Sequence, residues 1–142
     1  MADGEDTPIP PQGYVAAEGR GSFSTHTGPY FYRPDAEGSS QAFLALKRHC
    51  NGLGLIHGGM LSAFLDGVLA SAAGRGTGSA LVTMHLSIDF LGMGRAGDWV
   101  FGEGRLTKAT RDVAFAEGRA FVGGRDLARA TGVFKLMRRP IR

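Results

Sequence analysis

Residues 57–74 read HGGMLSAFLDGVLASAAG, and their pattern settles what kind of chain surrounds them. At about 100° per residue, Met60, Leu61, Phe64, Val68 and Ala72 gather on one side of a helix, with Leu65 and Leu69 at its margin. Gly59, Ser62, Ala63, Asp66, Ala70 and Ala73 gather on the other. Asp66 is the single charge between Gly58 and Gly74. A helix with so little charge around it is a buried helix. The spacing therefore predicts a central helix whose bulky face lies on a sheet and whose small-residue face lies close to another backbone or a substrate channel, with a carboxylate in its middle.

Downstream, a glycine-rich loop over 74–78 leads into a period of two. Ala80, Val82, Met84, Leu86, Ile88 and Phe90 alternate with Leu81, Thr83, His85, Ser87 and Asp89, which predicts a long half-buried strand. After turn residues at 92–98, strands are predicted over 99–108, 113–122 and 127–137; their tight loops imply an antiparallel meander, and with the long strand they make four consecutive antiparallel strands. Upstream, 42–48 reads as a strand, 35–40 as a turn and 30–33 as a short strand. Residues 1–12, acidic and proline-rich with little apolar content, read as a disordered or loosely docked arm. The expected division is an arm over 1–27, partly flexible, and a domain over 28–142. One helix cannot cover a twisted five- or six-stranded sheet and protect every edge, so at least a dimer is expected.

A chain of 142 residues is one domain of ordinary size. Its 16 basic and 13 acidic residues give +3, which favours an anionic partner. The basic residues are scattered and do not interleave with aromatics, which points to a small phosphorylated ligand rather than nucleic acid. No apolar run approaches the ~18 residues of a membrane span, and the first residues are acidic where a signal peptide is basic. A cytoplasmic address follows as the expectation. Cys50 is the single cysteine, so no intrachain disulfide forms, and it reads as a small packed thiol rather than a nucleophile.

The loop CNGLGLIHGGM at 50–60 resembles a phosphate cradle but lacks its parts. Gly52 and Gly54 match G-x-G-x-x-G, yet the sixth position is His57, and no Gly-Lys-Ser or Gly-Lys-Thr follows. Gly58 and Gly59 instead open a helix, where backbone amides lack acceptors and a carbonyl oxygen can approach. That arrangement stabilises charge developing on an acyl oxygen, while a carboxylate two turns along activates water or attacks the acyl carbon. His57 and Asn51 orient the loop or hold a water, or serve as an ordinary loop histidine and turn former. For Asp66 the competing reading is a carboxylate that caps a neighbouring loop or meets a partner's arginine. His26, His49, His57 and His85 lack the spacing of H-E-x-x-H, so no metal site is expected. No G-x-S-x-G elbow exists.

Asn51, His57-Gly58-Gly59, Asp66 and the long strand with Thr83 and Leu86-Ser87-Ile88-Asp89-Phe90-Leu91 together resemble the phenylacetate-pathway (PaaI-like) hotdog-fold acyl-CoA thioesterases, over roughly residues 28–137. The resemblance implies an α+β hotdog fold, a curved antiparallel sheet wrapped around one long central helix. It implies dimers paired edge to edge, often tetramers, with active sites at the subunit interface. In its terms Asp66 is nucleophile or general base, and Gly58, with Gly59, offers an amide to the thioester carbonyl. Asn51 and His57 position water and loop, and Thr83 comes from the partner chain. Gly59 and Ser62 are expected to meet substrate, and Lys108 and Arg111 to face the phosphates of coenzyme A. No cofactor is implied beyond coenzyme A as part of the substrate. Leu91-Gly92-Met93-Gly94-Arg95 departs from the family's Arg-Pro pair, which bears on the following loop. Two other activities on this scaffold are a non-catalytic acyl-CoA sensor and an enoyl-CoA hydratase.

Overall fold

The computed structural model describes residues 7–140; Met1–Asp6 of the expected arm lie outside the described residues. The central helix, α2 (Gly58–Thr77), starts where His57 leaves extended backbone and its Nδ1 accepts the Gly59 N–H at 2.8 Å, a side-chain cap for one orphan amide. It ends at Gly78, whose φ of 69° only a glycine adopts without strain and whose N–H returns to the Gly74 carbonyl at 2.8 Å. Arg75, Gly76 and Thr77, expected in a loop, belong to its last turn, held by the Thr77 hydroxyl on the Ala73 carbonyl.

Around α2 curves one antiparallel sheet. Its strands are β1 (Val15–Ala16), β2 (Phe31–Tyr32), β3 (Ser39–Leu44), β4 (Ser79–Phe90), β5 (Trp99–Ala109), β6 (Val113–Val122) and β7 (Arg125–Pro140), in the order β1-β2-β3-β5-β6-β7-β4. The architecture is the expected hotdog arrangement, an open sheet rather than a closed barrel. The meander is found in β5–β6–β7. The four-strand run is not: β4 pairs with β7 at the far edge and leaves β5 beside β3. Gly78 turns β4 straight back along α2, so β4 takes an outer position, and residues 91–98 carry the chain past the helix start, where the Ile56 N–H binds the Gly94 carbonyl at 2.8 Å. The strand expected at 42–48 is β3, shifted to Ser39–Leu44. Beyond it Lys47–His49 form a 3-10 turn, because His49 Nδ1 accepts the Leu46 N–H at 3.0 Å.

The described part of the arm is ordered onto this frame. β1 pairs with β2, and helix α1 (Ser22–Thr27) is held at its C-terminal end by the 3-10 turn. His49 Nε2 donates to the Thr27 carbonyl at 2.7 Å, and Arg48 Nη1 to the His26 carbonyl at 2.6 Å.

The bulky face of α2 is buried as its periodicity predicts. Phe64, Leu65, Val68 and Leu69 lie in the core with Phe43, Val100, Leu127 and Phe134. Phe43 meets Phe64 edge-on with centroids 4.8 Å apart. Beneath the helix the sheet presents main chain. A Cβ on Gly102 would stand 2.7 Å from the Phe64 ring, and one on Gly118 would stand 2.3 Å from the Glu103 carbonyl oxygen. Gly104 pairs with Gly118 in register, and Gly132 lies against Leu69. These absent side chains allow α2 to lie low in the curved sheet.

Candidate active site

The small-residue face of α2 is half-buried: Ser62, Ala63, Asp66 and Ala70 keep some exposure, and Ala73 is fully enclosed. Asp66, expected to be buried, is partly open. Its Oδ1 accepts the Thr83 hydroxyl at 2.7 Å. Chain geometry explains the meeting. Asp66 lies eleven residues before Thr77, roughly 16 Å of helix, and Thr83 lies five residues after Gly78, roughly 16 Å of strand. The two arms of the α2–β4 turn are equally long, so these residues come opposite one another. The resemblance draws Thr83 from the partner; here Thr83 and Asp66 of one chain are already in contact.

Gly58 stands at the start of α2 with its N–H facing no acceptor among the described residues, and Phe90 of β4 packs against its Cα, with ring atoms 3.5 Å from where a Cβ would sit. The Gly59 N–H is taken by His57 Nδ1, which leaves Gly58 as the amide open to a substrate oxygen. Along α2 the eight residues from Gly58 to Asp66 span roughly 12 Å. One acyl carbon must lie within ~3.5 Å of its attacking group, with its oxygen at ~3 Å from the stabilising donor. Gly58 and Asp66 of a single chain therefore do not serve the same carbonyl.

Asn51 organises the loop through its side chain, Oδ1 accepting from Leu53 N–H at 2.9 Å and Leu55 N–H at 3.2 Å. The Ser62 hydroxyl donates to the Gly58 carbonyl at 2.8 Å. The departing sequence at 91–95 braces this region: Gly94 packs so tightly on Ile56 and Leu127 that a Cβ would stand 2.6 Å from Ile56 Cδ1, and Leu55 bridges to Arg95. Lys108 and Arg111 are exposed at the other end of α2, Arg111 beside Gly76 and Thr77, so one chain does not bring them to Asp66. Burial pushes the Cys50 thiol pKa up, with the Asp98 carboxylate adding to it against an Ala96 backbone hydrogen bond. Among the described residues no cluster of His, Cys, Asp and Glu has metal-binding geometry, and no helix is long and apolar enough to cross a membrane.

Two cavities flank α1 along the small-residue face. One, of about 340 Å³, reaches Asp66, Gly67 and Ala70 and is walled by Phe23, Tyr30 and Arg20. The other, of about 420 Å³, lies at the helix start between His26, Arg48 and His57. Phe23, Thr27 and Ala63 border both. A larger hollow of about 780 Å³ lies across the sheet, on the face away from α2. Its charged strand residues are the ion-paired Arg105–Glu117, Arg119–Glu103 and Arg129–Asp89, on the opposite side of the sheet from Asp66. The wall formed by α1 and Arg20 escaped the sequence reading, because a six-residue helix without an apolar stripe leaves little periodic signal.

Asp66 with its Thr83 hydroxyl, at the wall of the cavity of about 340 Å³, and the Gly58 amide, without an acceptor among the described residues, are the groups this helix offers for chemistry. The Thioesterase superfamily profile matches residues 53–128, more than half of the chain, and the chain belongs to that family. A Pseudomonas aeruginosa relative, "Putative esterase PA0474", is 41% identical over 114 residues, covering 77% of this chain and 84% of its own. A phenylacetic acid degradation-related protein of Ralstonia eutropha superposes with a TM-score of 0.73 at 26% identity, covering 83% of this chain and 92% of that one. A "Hypothetical Thioesterase Protein" of Streptococcus pneumoniae, solved with coenzyme A, shares the fold at a TM-score of 0.71 and 19% identity, over 87% of this chain and 95% of that one.

Proposed function

We propose that this protein hydrolyses acyl-coenzyme A thioesters at a site shared between two copies of the chain. The observation that carries the reading is the Thr83–Asp66 hydrogen bond, whose carboxylate residue lines a cavity of about 340 Å³, in a chain of the Thioesterase superfamily. The coenzyme A found in the Streptococcus pneumoniae structure supports the choice of thiol.

In this mechanism the Asp66 carboxylate takes a proton from a water, and the resulting hydroxide adds to the acyl carbon. The carbonyl oxygen gains charge against the N–H of Gly58 of the partner subunit. The C–S bond then breaks, and the coenzyme A thiolate leaves and takes the proton from Asp66. Direct attack by Asp66, through an anhydride that water opens, uses the same groups. Thr83 holds the carboxylate in orientation. Asn51 and His57 shape the loop that presents the amide, and Gly59 and Ser62 complete that first turn. Lys108 and Arg111, exposed and without a carboxylate partner among the described residues, are the cations offered to the coenzyme A phosphates.

The roughly 12 Å between Gly58 and Asp66 is why two chains are needed. β4 supplies the joint. It pairs with β7 on one side, carries exposed Val82, Met84 and Phe90, and its other edge is unpaired among the described residues. Two β4 strands meeting about a two-fold axis would pair both edges and bring the second Gly58 toward Asp66.

Thiol release from a panel of aliphatic and aromatic acyl-CoAs tests the activity, and Asp66→Asn should abolish it. The shared site is tested by mixing. Gly58→Pro and Asp66→Asn are each inactive alone, yet exchanged subunits would contain one intact site per mixed dimer and recover roughly a quarter of wild-type turnover. No recovery despite demonstrated exchange places both groups in one chain and refutes the shared site.

A further inference from the structure

The cavity beside Asp66 holds a second charge, of opposite sign, that hydrolysis does not use. Arg20 stands in its wall together with Phe23, Tyr30, Phe64 and Ala70. Five other arginines, Arg33, Arg105, Arg119, Arg129 and Arg138, are each ion-paired with a carboxylate. Arg20 has neutral neighbours. Its Nη1 donates to Gln41 Oε1 at 2.9 Å, and its guanidinium carbon lies 5.9 Å from the Tyr32 ring centroid.

Gln41 is almost fully buried, and its own amide is directed. Nε2 donates to Ser39 Oγ at 3.1 Å and to the Gly67 carbonyl at 3.4 Å, which leaves Oε1 turned toward Arg20. The guanidinium is thereby placed at the cavity wall. Arg20 is exposed as a whole, while the partial burial of its guanidinium lowers its pKa from the ordinary arginine value against the opposing pull of Tyr32 and Tyr30. Between the two charges the wall is open: a Cβ added to Gly67 would meet nothing within 4 Å. The outer wall is firm, because α1 is pinned by Arg48 and His49.

An uncharged alkyl tail filling the cavity would take water from the guanidinium without offering it an acceptor, and this is unfavourable. A carboxylate would complete the guanidinium fork with paired, charge-assisted hydrogen bonds. The same carboxylate is repelled by Asp66, so it can enter in one orientation alone, thioester end to Asp66 and acid end to Arg20. We propose that the cavity accepts acyl groups that end in a carboxylate, the half-thioesters of dicarboxylic acids, and that Arg20 is the residue that selects them. The inference rests on the thioesterase reading for the end of the substrate at Asp66.

The test compares adipoyl-CoA with hexanoyl-CoA, six-carbon acyl groups that differ in the terminal carboxylate, on the wild type, Arg20→Gln and Arg20→Lys. The expected wild-type kcat/KM ratio favours adipoyl-CoA by about tenfold or more. Arg20→Gln collapses that ratio and Arg20→Lys retains part of it. A wild type that prefers hexanoyl-CoA, or a ratio that Arg20→Gln leaves unmoved, overturns the proposal. If no thiol is released from either compound or from the wider acyl-CoA panel, it is the thioesterase reading that fails. Calorimetric affinities of the two thioesters for wild type and Arg20→Gln then decide the pocket by themselves: tighter adipoyl-CoA binding lost in the variant upholds it, and equal binding ends it.

Discussion

Thr83 Oγ1 lies 2.7 Å from Asp66 Oδ1 across the angle between α2 and β4, and the hydroxyl is the donor. One of the carboxylate's acceptor positions is thus committed, which fixes where its other oxygen points. Thr83→Val removes the hydroxyl and keeps the shape. We expect kcat to fall about tenfold, in line with a lost hydrogen bond to a charged group, with KM little changed. Thr83→Ser should restore most of the rate, which a purely structural role for the side chain would not produce. Single-turnover thiol release on both variants checks this.

Gly58→Pro isolates the backbone amide. The position is the first of the helix, where proline is accommodated, and the preceding His57 sits at φ −64° and ψ 137°, a conformation that proline tolerates in its neighbour. The variant should melt within a few degrees of the wild type by calorimetry. It should lose about a hundredfold or more in kcat, the cost of a missing oxyanion donor.

Two glycines predict opposite changes in stability. Gly118→Ala forces a Cβ to 2.3 Å from the Glu103 carbonyl oxygen, a main-chain atom that cannot step aside. It should destabilise by about 1–3 kcal/mol or more in urea unfolding. Gly67→Ala adds a methyl group to open space in the middle of α2 and should stabilise by about 0.5–1 kcal/mol. A Gly118→Ala protein as stable as the wild type would sink the account of the helix lying on bare main chain.

Cys50 has its thiol pKa raised by burial, so little thiolate is present at neutral pH. Alkylation by iodoacetamide, followed by mass spectrometry, should run severalfold slower than for a free cysteine peptide at pH 7.5. The difference should narrow as the pH is raised.

What could be read in advance follows from which interactions are local. The faces of α2 were legible because Met60, Leu61, Phe64 and Val68 repeat at helical spacing, and the hairpins of β5, β6 and β7 because their turns are short. The position of β4 was not, since the partner of a strand depends on a route through space and not on its own alternation. Gly102 and Gly104 lie far in sequence from Gly118 and from Gly132, and their alignment under Phe64, Val68 and Leu69 emerges only once three strands are in register. Asp66 stands out as the single charge between Gly58 and Gly74. Its contact with Thr83 could have been found by matching the rise of a helix to that of a strand about Gly78. Arg20 had no such signal, because its partners Gln41 and Tyr32 are distant in sequence and neutral.

The bare sheet beneath α2 also bears on how the protein can change. Where a helix rests on side chains, its height can be reset by exchanging one residue for a slightly larger or smaller one. Here the bearing surface is main chain, with no smaller residue available than the glycines already present. Substitutions elsewhere in the core will tend to lower stability before they shift the helix, and the spacing between Asp66 and Thr83 inherits that rigidity. Adaptation toward new acyl groups is thereby directed to the wall that α1 and Arg20 provide, which can be altered without disturbing the reference surface that aligns the carboxylate.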